Sequence, residues 1–250
     1  IVIDIRKGLD QKIEEQIAPG IKHISLLRET TVGPISAHIV DLAPNGAYVV
    51  KPVLSNDAIT GLEKLQSMAE RNKAIVAVNA SYFSLNGEII GMLKMDGDIV
   101  STSDVVRTAF GVLPDGKVLM DQIEPNGFIT LPDGKSVAIT GVNHERGQDD
   151  LILYNNYYDS MTNTNQYGSD YILNSNNQIV AIAHGNAAIL PGGVVLSAHG
   201  SMEKDLYDLK IGDTVKITQT MGEVWDKTQH ALGAGPRILK NGSVFLTSKV

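Results

Sequence analysis

Asn-Gly or Asp-Gly pairs recur along the chain, among them Asn86-Gly87, Asp96-Gly97, Asp115-Gly116, Asp133-Gly134 and Asn241-Gly242. Such pairs supply the positive φ angles that tight hairpin turns require, and few other dipeptides do so at low cost. Their flanks are rich in β-branched and apolar residues, as in Phe110-Gly111-Val112-Leu113 before Asp115 and Val118-Leu119-Met120 after Gly116. The expectation is a β-meander: short antiparallel strands, tightly turned, over most of the sequence.

One stretch departs from this pattern. Between Ser55 and Asn72, apolar side chains fall at Ile59, Leu62, Leu65, Met68 and Ala69, spacings of three and four that predict a helix. Ser55, Asn56 and Asp57 offer N-caps. The following run, Ala74 to Val78, is apolar without alternation, which predicts a strand covered on both faces and leading into Asn79. A weaker second helix is expected over Glu203 to Leu209. The reading is an α+β fold, a strand-rich mixed or antiparallel sheet with one main helix packed on it. Residues 1–20 read as a polar lead-in and 21–250 as a single domain.

Hydrophobic residues make up 43% and charged residues 20% of the 250, ordinary globular usage that excludes a disordered chain. A net charge of −7 gives no basic face for nucleic acid, and no apolar run is long enough to cross a bilayer as a helix. Cysteine is absent, which removes disulfides, zinc-finger modules and a cysteine nucleophile together. The six histidines show no metal-ligand spacing, so neither cofactor nor metal is expected. Asn163 to Gly168 begins like a calcium loop, but its twelfth position is Asn174 rather than the bidentate Glu.

The candidate binding residues lie at strand ends and in polar loops. Asn79 and Tyr82 follow the predicted buried strand, an amide for sugar hydroxyls or phosphate oxygens beside a ring for a sugar's C–H face. Arg107 opens the strand Thr108 to Leu113, and Arg146 lies in the polar run Asn143 to Gly147; either guanidinium suits bidentate capture of phosphate. His184-Gly185 and His199-Gly200 each end an apolar run, a setting for a titratable imidazole or for an ordinary turn histidine.

Six blocks in order carry a family resemblance. They are Ala77 to Phe83, Ile90 to Gly97, Arg107 to Gly111, Val142 to Tyr154 with Thr162 to Asn165 after it, Val195 to Gly200, and Leu232 to Leu239. From about Ala18 onward the chain resembles the phosphodiester glycosidases related to the lysosomal mannose-6-phosphate uncovering enzyme, with Ala80-Ser81 standing where that family usually has Gly-Gly. The resemblance implies hydrolysis of a sugar-1-phosphate phosphodiester in an extracellular or cell-wall glycan, releasing free sugar. It implies catalytic roles for Arg107, Arg146 and His199, and substrate contacts for Asn79, Tyr82, Asn143, Asn165 and Gly235. Asn79, Arg107 and Arg146 are expected to converge on one site. Family members continue beyond the block at Gly235 with a further strand and an acidic loop, so an open sheet edge that pairs with a second copy is expected near the C-terminus. A non-catalytic carbohydrate-binding module, or a fragment inactive without that further segment, remains the alternative.

Overall fold

The computed structural model describes residues 10–43, 48–103 and 105–245. The chain divides into two compact units, residues 1–50 and 51–250. The boundary thus falls at Val50/Lys51 rather than after residue 20. Within the expected lead-in, Asp10–Ala18 is a strand, because it pairs with the strand that follows.

In the first unit β1 (Asp10–Ala18), β2 (Ile21–Thr30) and β3 (Gly33–Leu42) form one antiparallel sheet in the order β1-β2-β3. The β2–β3 register runs unbroken from Ile21↔Leu42 to Thr30↔Gly33.

The second unit opens with a 3-10 turn at Ser55–Asp57 and a helix α1 (Leu65–Arg71). Strands β4 (Tyr82–Phe83), β5 (Ile89–Ile90), β6 (Leu93–Met95), β7 (Asp98–Ser101), β8 (Arg107–Val112) and β9 (Val118–Ile123) follow. Next come β10 (Asn126–Thr130), β11 (Ser136–Ile139), β12 (Gly141–Val142), β13 (Leu151–Tyr154), β14 (Ser169–Leu173), β15 (Ile179–Ala183) and β16 (Val194–Ala198). Helix α2 (Ser201–Leu206), β17 (Lys216–Thr220), β18 (His230–Gly233), β19 (Leu239–Lys240) and β20 (Ser243–Val244) complete it. The larger sheets have the orders β12-β13-β16-β14-β15 and β7-β6-β18-β8-β9, beside a smaller β11-β10-β17. All pairings are antiparallel except β12 with β13. Among the described residues the fold is strand-rich with two short helices.

The five pairs named above sit in turns, whereas Asn126-Gly127 opens β10. Asp96 and Asn241 take φ of 51° ahead of Gly97 and Gly242, the two-residue mirror-image turn. The other three share a different geometry. In Leu113 to Lys117 and again in Leu131 to Lys135, both Leu-Pro-Asp-Gly-Lys, the Leu carbonyl accepts from the Gly N–H and the Leu N–H donates to the Lys carbonyl. The Asp carboxylate accepts from the Lys N–H at 3.0 and 2.8 Å. This is a type I turn closed by a left-handed Gly, and Ser84 to Glu88 repeats its backbone bonds.

Two expectations are corrected. The helix predicted from Ser55 shortens to the seven residues of α1, and it buries no side chain. The reason lies upstream: Arg71 donates to Asp57, to Glu63 at 2.9 Å and to the Leu54 carbonyl at 2.9 Å. That clasp holds residues 54–63 in an irregular loop. Nor is Ala74 to Val78 a strand: Ile75 is 48% and Val78 71% exposed. An apolar run becomes a buried strand only where both faces find cover, and the runs that do so are β13 and β16. Leu151, Ile152 and Tyr154 are fully buried, as are Val195, Leu196, Ser197 and Ala198. One face of their sheet joins Leu151, Leu153, Tyr171, Leu173, Leu196 and Leu206; the other joins Ile152, Tyr154, Ala187, Ile189 and Val195.

Candidate functional site

Contacts among the described residues link the candidates in two groups: Arg107, Tyr82 and Gly235 in one, and Arg146 with Asn165, next to the His199 loop contact, in the other; Asn143 and Asn79 make no hydrogen bond to either.

The first cluster grows from the start of β8 and the short β4–β5 hairpin. Arg107 pairs with Ile123 at the outer end of the β8–β9 ladder, so its side chain leaves the sheet beside the chain that exits β18. The guanidinium carbon lies 5.0 Å over the Tyr82 ring, a cation–π contact. Tyr82 is 49% exposed, leaving much of its ring open to solvent. A Cβ on Gly235 would approach the Tyr82 hydroxyl to 2.9 Å, so glycine lets this backbone pass close to the ring. Ser81 ties the two segments by donating to the Gly233 carbonyl at 3.2 Å.

Arg107 has no ion-pair or hydrogen-bond partner among the described residues, and its Nε is buried. It lines a tight cavity of about 10 Å³, room for one water, together with Met92, Ser103, Ile123 and Glu124. Among the described residues Glu124 is the one carboxylate on that lining, and sequence reasoning missed it. A half-buried guanidinium without an anion partner among the described residues, lying across an exposed aromatic ring, is chemically suited to an anionic group carried on a sugar or other flat apolar body.

Arg146 meets the opposite conditions. Its side chain is 1% exposed and pairs with Asp170 at 3.2 Å. Nη1 also donates to Ser197 Oγ at 2.8 Å. Nη2 donates to Asn165 Oδ1 at 2.9 Å, to the Asn165 carbonyl at 3.1 Å and to the Tyr167 carbonyl. Asp170 is itself saturated. It accepts from Ser197 Oγ at 2.5 Å, Thr164 Oγ1 at 2.9 Å and Thr162 Oγ1 at 3.1 Å. The terminal N–H groups of Arg146 are therefore committed to protein, and only its buried Nε lacks an acceptor. The segment that opens like a calcium loop spends the oxygens of Asn165 and Tyr167 on this guanidinium instead. Among the described residues no three His, Cys, Asp or Glu side chains converge as metal ligands.

His199 continues from this network at the end of β16. Its Nδ1 lies 3.2 Å from the Gly147 carbonyl, and its backbone N–H donates to the Asp150 carbonyl. Neighbouring Asp149 accepts from the Ser201 N–H at 2.7 Å, which holds its carboxyl below the usual range. His184 has a turn role, with Nδ1 3.3 Å from the Gly168 carbonyl. Asn143 is 1% exposed and locked, donating to the Val100 carbonyl at 2.8 Å and to Asn155 Oδ1 at 2.6 Å while accepting from the Asn155 N–H. Asn79 is exposed, with no hydrogen-bond partner among the described residues.

Asp170 and Lys94 also escaped sequence reasoning. Each interrupts a short apolar strand with a charge, and that is the available signal, since a charge there must be paired. Lys94, 4% exposed, donates to the carbonyls of Asp226 at 3.0 Å and Trp225 at 3.4 Å. Burial lowers its pKa, against the pull of Asp226 and Asp98. It borders an open groove of about 340 Å³ with Asp98, Gln219, Met221 and Asp226.

No protein-family model matches the sequence, and no curated protein matches it. Solved structures do. A hypothetical protein of Synechocystis superposes with a TM-score of 0.82 at 18% identity, covering 95% of this chain and 46% of that one. A candidate exported protein of Burkholderia pseudomallei K96243 superposes with a TM-score of 0.74 at 12% identity, covering 93% of this chain and 73% of that one. The chain thus spans about half the length of the Synechocystis protein. At these identities the likeness establishes a shared fold. Among the described residues no helix is long and apolar enough to cross a membrane.

Proposed function

We propose that this chain acts on a sugar-1-phosphate phosphodiester of an extracellular or cell-envelope bacterial glycan, with Arg107 and Tyr82 as the seat for phosphate and sugar. The observation that carries this reading is the half-buried Arg107 guanidinium, unpaired among the described residues and lying 5.0 Å over the Tyr82 ring. Four of the six family-like blocks, Ala77 to Phe83, Ile90 to Gly97, Arg107 to Gly111 and Leu232 to Leu239, contribute Tyr82, Met92, Arg107 and Gly233 to this seat. The bacterial structural relative described as exported supports the location.

Hydrolysis places the oxygen of water on the anomeric carbon as the C–O bond to phosphate breaks, giving free sugar and a phosphomonoester. Arg107 holds the phosphate and neutralises the charge gathering on it as it leaves. Glu124, on the same cavity, is the candidate among the described residues to exchange protons with water or leaving group. Tyr82 offers its open face to the sugar ring. Arg146, His199, Asn165 and Asn143 support the surrounding scaffold in this reading. A second reading is a carbohydrate-binding module without turnover, and it is favoured by the commitment of Arg146 to protein acceptors, which leaves one available guanidinium rather than two.

A chromogenic N-acetylglucosamine-1-phosphodiester separates them. The expected result is release by the wild type, lowered about tenfold to a hundredfold in Arg107→Lys, the loss of one charged hydrogen bond. Binding weakened by Arg107→Lys and Tyr82→Ala without any release supports the module. Neither binding nor release overturns both.

A further inference from the structure

We propose that His23 and His38, in the first unit, form a chelating site for a divalent transition-metal ion of the copper or zinc type. This inference is independent of the Arg107 seat.

The two residues lie 15 apart in sequence, which no linear ligand motif would join. Strand register joins them. His23 is paired with Val40, and His38 with Ser25, so the imidazoles are diagonal neighbours on one face of the β2–β3 ladder, within reach of each other. His23 Nε2 and His38 Nδ1 stand 3.0 Å apart. The rings are 9° from parallel with centroids 5.2 Å apart. That centroid distance is close to the N···N distance plus a ring radius at each end. The nitrogens therefore meet nearly head-on in a common plane, sharing one proton, rather than stacking face to face.

A shared N–H···N bond requires one ring to present a lone pair where the other presents a hydrogen. On metal binding the donating ring exchanges that proton, through solvent, for one on its other nitrogen; both imidazoles stay neutral and each offers the ion a lone pair. With metal–nitrogen bonds of about 2.0–2.1 Å, two imidazoles at 90–110° around one ion hold their nitrogens about 2.9–3.4 Å apart. The observed 3.0 Å already lies in that range. Both rings swing so that their lone pairs converge to one side, and the strands need not move. Uncharged imidazole nitrogens suit copper, nickel and zinc, and suit calcium and magnesium poorly.

The rest of the coordination shell is open. His38 is exposed and His23 half-buried, and water can complete the shell on the outer side. Glu15 is paired directly with His23 across the β1–β2 ladder and so shares its face. It is the protein group best placed to add a carboxylate oxygen by a side-chain rotation.

The test is a calorimetric titration of the whole chain with Cu2+ and with Zn2+, repeated on His23→Gln and His38→Gln. The expected result is saturable one-to-one binding, tighter for Cu2+, weakened about a hundredfold by either substitution because either destroys the chelate. Far-UV circular dichroism checks that both variants keep the sheet. Should one unfold it, sub-stoichiometric Cu2+ added to the wild type decides instead, by broadening the ring-proton resonances of both histidines together. The proposal is overturned if millimolar metal gives no saturable binding. It is equally overturned if binding survives both substitutions, if it is lost in only one variant, or if the two rings do not broaden together.

Discussion

Arg146 and Arg107 carry the same guanidinium and read alike in the sequence, each in a polar context at the edge of an apolar strand. What separates them is whether the fold supplies acceptors. Asp170, Ser197, Asn165 and Tyr167 come to Arg146 from two strands and one loop, an assembly that local pattern cannot reveal. Removing one member of a buried ion pair leaves the other charge stranded, which costs about 3–5 kcal/mol. Arg146→Gln should lower the urea midpoint by that equivalent with its slope unchanged. Asp170→Asn should do nearly the same, and the two changes together should cost less than their sum, because each removes the other's reason for being ionised. Additive losses in a double-mutant cycle would show that the two groups do not act as a pair. Gly168 belongs to the same network: its φ is +111°, and a Cβ there would meet the Ala198 carbonyl at 2.3 Å and Arg146 Nη1 at 2.8 Å. Gly134 also has a positive φ, +88°, but open space around it. Gly134→Ala should cost about 1–2 kcal/mol from backbone conformation alone, and Gly168→Ala distinctly more. Equal losses in thermal melts would mean that the close contacts at Gly168 relax freely.

At the scale of elements, the turns were the legible part, since an Asp-Gly or Asn-Gly pair acts through its own φ angles and one local carboxylate. Strand existence followed from those turns. Cover did not: Ala74 to Val78 and Leu151 to Tyr154 are comparable apolar runs, yet only the second lies between two packed faces. Helix α1 was overextended for a related reason, because its apolar spacing was real while the Arg71 clasp upstream was a tertiary event. Within that clasp Glu63 accepts from Arg71 at 2.9 Å, from the Asn56 N–H at 2.8 Å and from Ser67 Oγ at 2.7 Å. The Arg71 bond first, then the other two, lower its pKa to about 2. A carboxylate lowered on folding contributes stability that is fully present above its unfolded pKa of about 4.3. That contribution drains away as pH falls from there through about 2. Protease cleavage within residues 54–64 should accordingly accelerate over that window in the wild type. In Glu63→Gln it should already be fast at neutral pH and change little on acidification. An unchanged wild-type rate down to pH 2 would remove the clasp from the account.

The two units of the whole molecule distribute burial very differently. The second has apolar clusters on both faces of its central sheet. In the first, among the described residues, Ile21 is the only buried hydrophobic side chain, while Ile13, Ile35, Ile39 and Val40 are 40% exposed or more. Their hydrogen-bond ladders are nonetheless comparable: β2 is paired on both sides through most of its length, as β16 is. Backbone pairing and apolar burial are thereby separated within one chain. A ladder bond contributes only about 1 kcal/mol net, whereas burying a Leu or Ile side chain contributes about 1.5–3 kcal/mol, so burial should set the order of opening. Amide hydrogen exchange on the intact chain tests this directly. The central amides of β13 and β16 should exchange only through global unfolding, with a denaturant dependence equal to that of the equilibrium melt. Those of β2 should exchange far faster, through an opening that exposes little surface and depends weakly on denaturant. Addition of Cu2+ should slow β2 while leaving β13 and β16 unchanged, because the ion ties β2 to β3 and binds only their folded form. Equal protection of β2 and β16 without metal would show that the first unit draws stability from beyond its own fifty residues.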